Sequence, residues 1–250
     1  MNQQNIIKHE NKKYIRLNKR ISDLGYSSRR EADKLIEEQK VYVNDKLAIL
    51  GMKVTKEDKI VVEGNLLNTK PKLVYIMLNK PRGITTSNDP KIKDNIKDFI
   101  NYPEMIFPIG RLDKDSSGLI LLTNDGDIVN KILRKEYGHE KEYIVKVDKK
   151  ITSSFLSNLE QGVKIYNPVN KSYVITDKAN LKLIDEYTFS IIIKQGLNRQ
   201  IRRMTKTQGY NVVSLKRIRI INLELGNLKE GSYRYLTNNE LKQLNKDINK

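Results

Sequence analysis

The sequence predicts an α+β fold in two parts. A small α/β module over residues 14–64 precedes a larger domain over residues 73–250, built on a mixed, largely antiparallel β-sheet flanked by helices. Three observations lead there. Strand-like runs outnumber helical ones in the larger part, and their connections are short. Residues 65–72, with Asn, Thr, Lys and Pro71, read as a linker. A chain of 250 residues also buries two small cores more readily than one large one. Residues 1–13 are polar and read as a flexible tail.

In the first module Ile15, Leu17, Ile21 and Leu24 have helical spacing, and Gly25 stops that helix. Ser28 followed three residues later by Glu31 forms a capping box for a second helix with Ala32, Leu35 and Ile36 on its apolar side. VYVNDKLAIL reads as two strands around an Asn44–Asp45 turn, and KIVVEG as a closing strand. In the larger part LVYIMLNKP is a strand cut off by Pro81, and residues 82–105 read as irregular. A turn-rich loop then enters the buried strand at residues 119–123, and DIVNKILRK is helical. KEYIVKV alternates as a half-buried strand does, and ITSSFLSNLEQG is a helix ended by Gly162. SYVIT, LKLI and TFSIIIK are strands, and Asn198 is expected to cap a helix running to Gln208. VVSLKRIRIINLEL is a long strand region, YRYL a short strand, and TNNELKQLNKDI a capped terminal helix.

Composition excludes much chemistry. With no Cys, disulfides, thiolate nucleophiles and Cys-ligated metals drop out, and two His cannot build a His-rich metal centre. No apolar run reaches the roughly 20 residues of a membrane helix, and the opening residues lack a secretory apolar core, so the expectation is a soluble, cytoplasmic protein. Lys and Arg number 47 against 30 Asp and Glu, a net charge of +17, which favours a polyanionic partner such as nucleic acid. Between Glu186 and Glu224 there is no acidic residue, while Lys194, Arg199, Arg202, Arg203, Lys206, Lys216, Arg217 and Arg219 fall there. Such a run reads as a phosphate-binding surface with no internal pairing.

One carboxylate stands out. Asp113 lies in GRLDKDSSGLILLTNDGD, between Gly110 and Gly118 and just ahead of a buried strand. Such a place holds a carboxylate rigidly at a cleft edge, making Asp113 a candidate nucleophile, although a loop Asp paired to Arg111 or Lys114 fits the residues as well. DKDSSGLILLTN imitates a calcium loop, but its twelfth position is Asn124 instead of Glu. A two-metal nuclease on Asp113, Asp115, Asp125 and Asp127 is a further alternative. Asp125 and Asp127, however, are expected at a helix start on local grounds.

Family resemblance decides among these. RLNKRISDLGYSSRREADKLIEEQKVYVNDK resembles an S4 RNA-binding domain, which implies structured-RNA contacts by Arg16, Lys19, Ser28, Arg29 and Arg30. GRLDKDSSGLILLTNDGD resembles the central motif of pseudouridine synthases of the RsuA type, and IMLNKPRGI, KEYIVKV, GLNRQIRRM and LKRIRI follow in the same order. Ser116 and Arg199, where many relatives have Thr and His, agree with the RluF type. The resemblance implies isomerisation of a ribosomal RNA uridine, in 23S rRNA, with a tRNA as possible second substrate and with no cofactor or metal. A non-catalytic S4-type RNA-binding protein is the competing reading, against which the intact GRLD argues.

In the same resemblance Asp113 is the catalytic carboxylate, acting at the sugar as nucleophile or as initiator of glycosidic cleavage. Tyr143 stacks on the detached base and Leu215 packs against the target nucleotide. The carboxylate must stay ionised in a shielded pocket, which a fixed cation beside it ensures. The QIR motif assigns that cation to Arg202, facing Asp113, with Arg199 and Arg203 directed at phosphate. Arg111 and Asn198 complete the implied RNA contacts. A monomer is expected.

Overall fold

The structure is a computed structural model and describes residues 13–68, 71–133 and 138–249. The expected tail over residues 1–13 lies almost wholly outside the described residues. The chain divides into two units, Met1–Lys72 and Leu73–Lys250, each with its own core.

In the first unit a short strand, β1 (Ile15–Arg16), runs directly into helix α1 (Leu17–Asp23). Leu17 and Ile21 are buried a turn apart, and Gly25 takes the left-handed φ of +79° that ends the turn. Helix α2 (Arg29–Glu37) starts at Ser28, whose Oγ accepts from the Glu31 amide at 3.2 Å, and it buries Ala32, Leu35 and Ile36. Strands β2 (Val41–Val43) and β3 (Lys46–Leu47) meet at Asn44 and Asp45, both at positive φ, as a tight hairpin turn requires. Strands β4 (Lys53–Val54), β5 (Ile60–Val62) and β6 (Asn65–Leu66) follow. The order β3-β2-β5-β6 forms one small sheet, and β4 pairs with β1. Strand β6 falls in the stretch that reads as linker. Two ladder positions opposite Val61 and Val62 are enough to fix it, and its polar composition hides it from pattern reading.

The second unit contains β7 (Tyr75–Lys80), α3 (Ile96–Ile100), β8 (Phe107–Ile109), β9 (Ser117–Thr123), α4 (Gly126–Leu133) and β10 (Lys141–Val147). It continues with α5 (Ser153–Gln161), β11 (Lys164–Asn167), β12 (Ser172–Ile175), β13 (Asn180–Asp185), β14 (Thr188–Ile193) and α6 (Gln200–Thr207). It closes with β15 (Val212–Ile220), β16 (Leu223–Glu224), β17 (Tyr233–Tyr235) and α7 (Asn238–Asp247). The main sheet runs β13-β14-β10-β15-β9-β7-β17, with β8 added to β9 and β16 to β15. Among the described residues its ladders are antiparallel except β9 with β15.

Helices cover both faces of this sheet, which explains why β9 is buried throughout and carries the unbroken run Leu119–Leu122. Ile120 and Leu122 enter one core with Ile76, Leu78, Val145, Phe189 and, from α6, Ile201 and Met204. Leu119 and Leu121 enter the other, with Met77, Ile128 and Ile132 of α4 and Leu244 of α7. Every residue of β9 is buried. Truncating one such Leu or Ile to Ala costs about 2–5 kcal/mol. This interior strand, between β15 and β7, is therefore a firm support for the loop that precedes it.

Three local features depart from the sequence reading. Residues 82–105 contain α3, a helix too short to show a period, started by Asn95, whose Oδ1 accepts from the Asp98 amide at 2.8 Å. Strand β11, unread in the sequence, pairs with β12 in a separate hairpin. Helix α6 is not capped by Asn198. Its N-cap is Arg199, in the left-handed region at φ +49°, with no side-chain cap. The Gln200 side chain folds back to accept from the Leu197 amide at 3.1 Å, while Asn198 Oδ1 accepts from Arg203 at 3.2 Å. The expected extension of the α4 helix through residues 134–135 lies outside the described residues.

Candidate active site

The loop between β8 and β9 is pinned from several directions. Gly110 has φ +76°. The buried Thr86 hydroxyl grips Leu112 twice, accepting from its amide at 3.2 Å and donating to its carbonyl at 2.8 Å. The Ser116 amide donates to the Asp113 carbonyl at 3.0 Å, and the Gly83 amide to the Lys114 carbonyl at 2.8 Å. Asp113 is thus flanked by fixed peptides while its side chain stays about 30% exposed. Lys80, at the end of β7 and fully buried, donates to the Pro81 and Ile84 carbonyls, both at 2.8 Å. Burial holds its ammonium down to about 8, and the charges of Asp113 and Asp115 oppose that shift.

Asp113 lines a cleft of about 640 Å³. Tyr143 of β10 and Leu215 of β15 line the same cleft, each less than a tenth exposed. Their strands are hydrogen-bonded neighbours with Tyr143 opposite Arg217 and Val145 opposite Leu215. Arg111, Asn198 and Arg199 also line it. Carboxylate, aromatic ring, apolar side chain and basic rim thus share one concavity.

The cation beside Asp113 is a correction. Arg199 NH1 lies 3.7 Å from Asp113 Oδ2, and the same guanidinium grips Asp115 with two bonds of 3.0 Å. The Arg199 hydrogen bonds are the main cause holding the Asp115 carboxyl below its ordinary range. Arg202, expected on Asp113, instead donates to the Asp115 carbonyl at 3.0 Å and to Ser116 Oγ at 3.2 Å, and its Nε is 3.5 Å from the Asp115 carboxylate. Arg202 is not part of the cleft wall. The cause is the left-handed N-cap, which takes Arg199 out of helical phase and carries it, not Arg202, to the rim. Arg203 is likewise committed to protein, donating to the Asn198 and Tyr166 carbonyls at 3.0 and 3.2 Å. Neither Arg111 nor Lys114 forms an ion pair with Asp113 among the described residues, and Lys114 pairs with Asp94 at 3.2 Å.

The basic run from Lys194 to Arg219 does find acids, supplied by other elements. Arg199 and Arg202 take Asp115, and Arg219 takes Glu140 at 3.1 Å and Glu142 at 3.0 Å across the β10–β15 ladder. Arg217 is buried, with Nε donating to the Leu119 carbonyl at 2.7 Å. Asp125 accepts from the Tyr75 hydroxyl at 2.6 Å, so the four-carboxylate nuclease constellation does not assemble in the cleft. Among the described residues no group of three or more His, Cys, Asp or Glu side chains could hold a metal ion. No described helix is long and apolar enough to cross a membrane.

Sequence reasoning missed Thr86, Lys80 and Lys141, and it placed Arg217 on a basic surface without separating it from its solvated neighbours. Thr86 lies in a stretch without a motif, and a buried Lys or Arg has no signature separating it from a solvated one. In the first unit Arg16, Ser28, Arg29 and Arg30 are exposed. Lys19 pairs with Asp23 at 2.8 Å.

One cleft thus brings together a loop carboxylate, an aromatic and an apolar strand residue, and comparison with known proteins gives its class. Residues 74–207 match the family model for RNA pseudouridylate synthase, and residues 15–60 match that for the S4 domain. The dual-specificity RNA pseudouridine synthase RluF of Escherichia coli strain K12 is 48% identical over 94% of this chain and 79% of its own length. The ribosomal large subunit pseudouridine synthase B of Bacillus subtilis strain 168 is 41% identical over 92% of this chain and 95% of its own. A crystal structure of a pseudouridylate synthase superposes with a TM-score of 0.67 and 32% identity, covering 92% of this chain and 99% of that one. The chain belongs to the RNA pseudouridine synthase family. It is an isomerase that acts on RNA, carries an S4 module and is RluF-like.

Proposed function

We propose that the cleft accepts a flipped-out uridine of 23S rRNA, in a domain V stem-loop, with a tRNA as second substrate, and that the enzyme works in the cytoplasm as a monomer. The observation that carries the reading is Asp113, fixed by its loop peptides and by Arg199 at the rim of a cleft floored by Tyr143 and Leu215. The relatives, a dual-specificity enzyme and a large-subunit enzyme, support the choice of RNA.

In the proposed reaction Asp113 initiates cleavage of the bond between C1′ and N1. The base turns within the cleft, C5 bonds to C1′, the C5 proton departs and N1 takes up a proton. Tyr143 and Leu215 keep the detached base in place, so the enzyme contributes positioning and charge without consuming a co-reactant. Extruding the uridine costs a few kcal/mol, least in a loop or bulge. Phosphate contacts by Arg111, Arg199 and the first unit's Arg16, Lys19, Ser28, Arg29 and Arg30 offset that cost. The test is tritium release from a C5-labelled 23S domain V transcript. The native enzyme should release tritium, and Asp113→Asn should release none while still binding the RNA. Full release by Asp113→Asn would sink the assignment.

A further inference from the structure

The cleft holds more positive charge than its chemistry at the base requires. Among the described residues lining it, Arg111, Lys141, Lys194, Arg199 and Arg217 are cationic and Asp113 is the one carboxylate. Arg199 is satisfied by Asp113 and Asp115. Two others are built into the wall with no acid. Arg217 is only 4% exposed, its Nε is spent on the Leu119 carbonyl, and its NH2 is buried without a hydrogen-bond partner. Lys141 donates only to backbone, to the His139 carbonyl at 3.1 Å and the Lys194 carbonyl at 3.4 Å. Burial lowers its ammonium first, and the charge of Arg217 lowers it further, so the two cations feel each other.

Their strands explain the proximity. Lys141 and Tyr143 alternate onto one face of β10, and Arg217 stands opposite Tyr143 on β15. A buried cation with an idle donor, beside a second unpaired cation, is unfavourable unless an anion joins them. A phosphate supplies both the charge and several acceptor oxygens, and it suits the planar guanidinium.

We propose that Arg217 and Lys141 form a phosphate subsite for one of the two backbone phosphates flanking the target uridine. This rests on the reading of the cleft as the uridine pocket and adds what anchors the nucleotide beside its base. It places the phosphate next to Tyr143, so the sugar is held while the base is free to turn. The base itself makes no demand on these two cations, and the anchor reads backbone in place of sequence.

The experiment uses the full chain and a stem-loop RNA from which the native enzyme releases C5 tritium. Three versions of the RNA are compared: all-phosphodiester, and a neutral methylphosphonate on the 5′ or the 3′ side of the target uridine. Lys141→Met is the variant, because replacing Arg217 would also strip the Leu119 carbonyl of its donor. For the native enzyme, one methylphosphonate should lower kcat/KM about tenfold or more. Lys141→Met should already be lowered on normal RNA, and that same methylphosphonate should cost it little further. No loss at either linkage in the native enzyme, or an equal loss in Lys141→Met, overturns the subsite. No tritium release from the normal RNA would instead overturn the uridine reading, and the subsite with it.

Discussion

Two basic regions carry opposite lessons. In the first unit Arg16, Arg29 and Arg30 stand exposed among several acids in sequence, where pairing looks easy. Between Lys194 and Arg219 no acid occurs in sequence, yet Arg199, Arg202 and Arg219 are all paired in space. Local charge balance therefore misjudges these three arginines, while Arg217 of the same run stays without an acid among the described residues. What decides is which elements the sheet brings alongside: β10 supplies Glu142, with Glu140 just ahead of it, and the loop between β8 and β9 supplies Asp113 and Asp115. The first set lies open to solvent, and the paired set ties strands and loop together around the cleft.

That contrast can be broken by substitution. The largest effect is expected at Arg202, whose side chain is only 12% exposed and ties the Asp115 carbonyl, Ser116 and the Val212 carbonyl together. Arg202→Met should lower unfolding stability by about 3 kcal/mol, seen as a shifted urea midpoint, together with most of the activity. An unchanged midpoint would mean that the arginine faces RNA and is not structural.

Arg199→Met should separate the two properties. Its pair with Asp115 is partly exposed on both sides, so stability should fall by no more than about 1 kcal/mol at neutral pH. Activity should fall about tenfold or more, because the loop carboxylates lose the charge that aims them. The Asp115 carboxyl is lowered from 3.8 in the folded protein. The pair's contribution is therefore fully present above that value and fades as pH falls below it, and denaturation of both proteins across pH 2–5 should converge at the acid end. A stability gap that persists there would assign the loss to packing. Smallest of all, Arg29→Ala with Arg30→Ala should leave stability within about 0.5 kcal/mol. RNA affinity should weaken several-fold, with the salt slope shallower by up to about 2. An unaltered slope would remove these residues from the interface.

The sequence shows the Asp113 loop and its strand clearly. Gly110, Asp113 and Gly118 ahead of an unbroken apolar run leave few ways to fold, whereas alternation makes Tyr143 and Leu215 only buried strand residues and it is the family resemblance that singles them out. The identity of the cation at Asp113 was not legible. Helical spacing ranks Arg199, Arg202 and Arg203 correctly only if the helix phase is known, and the left-handed residue at its start sets that phase. Thr86 escaped for another reason. A single hydroxyl bridging both peptide groups of Leu112 depends on a loop conformation that no period announces.

Gly118 links the site to the sheet. It faces Arg217 in the parallel register between β9 and β15, and its φ is +105°. A β-carbon there would collide with the Arg217 backbone, at its carbonyl and its amide alike. The parallel ladder that joins β9, just after the Asp113 loop, to β15, the neighbour of Tyr143's strand, consists of Ser117–Lys216 and of Gly118–Arg217, the second with no room for a side chain. The approach of the Asp113 side of the sheet to the Tyr143 side thus depends on a missing methyl group, and any reshaping of this cleft must begin by leaving residue 118 alone.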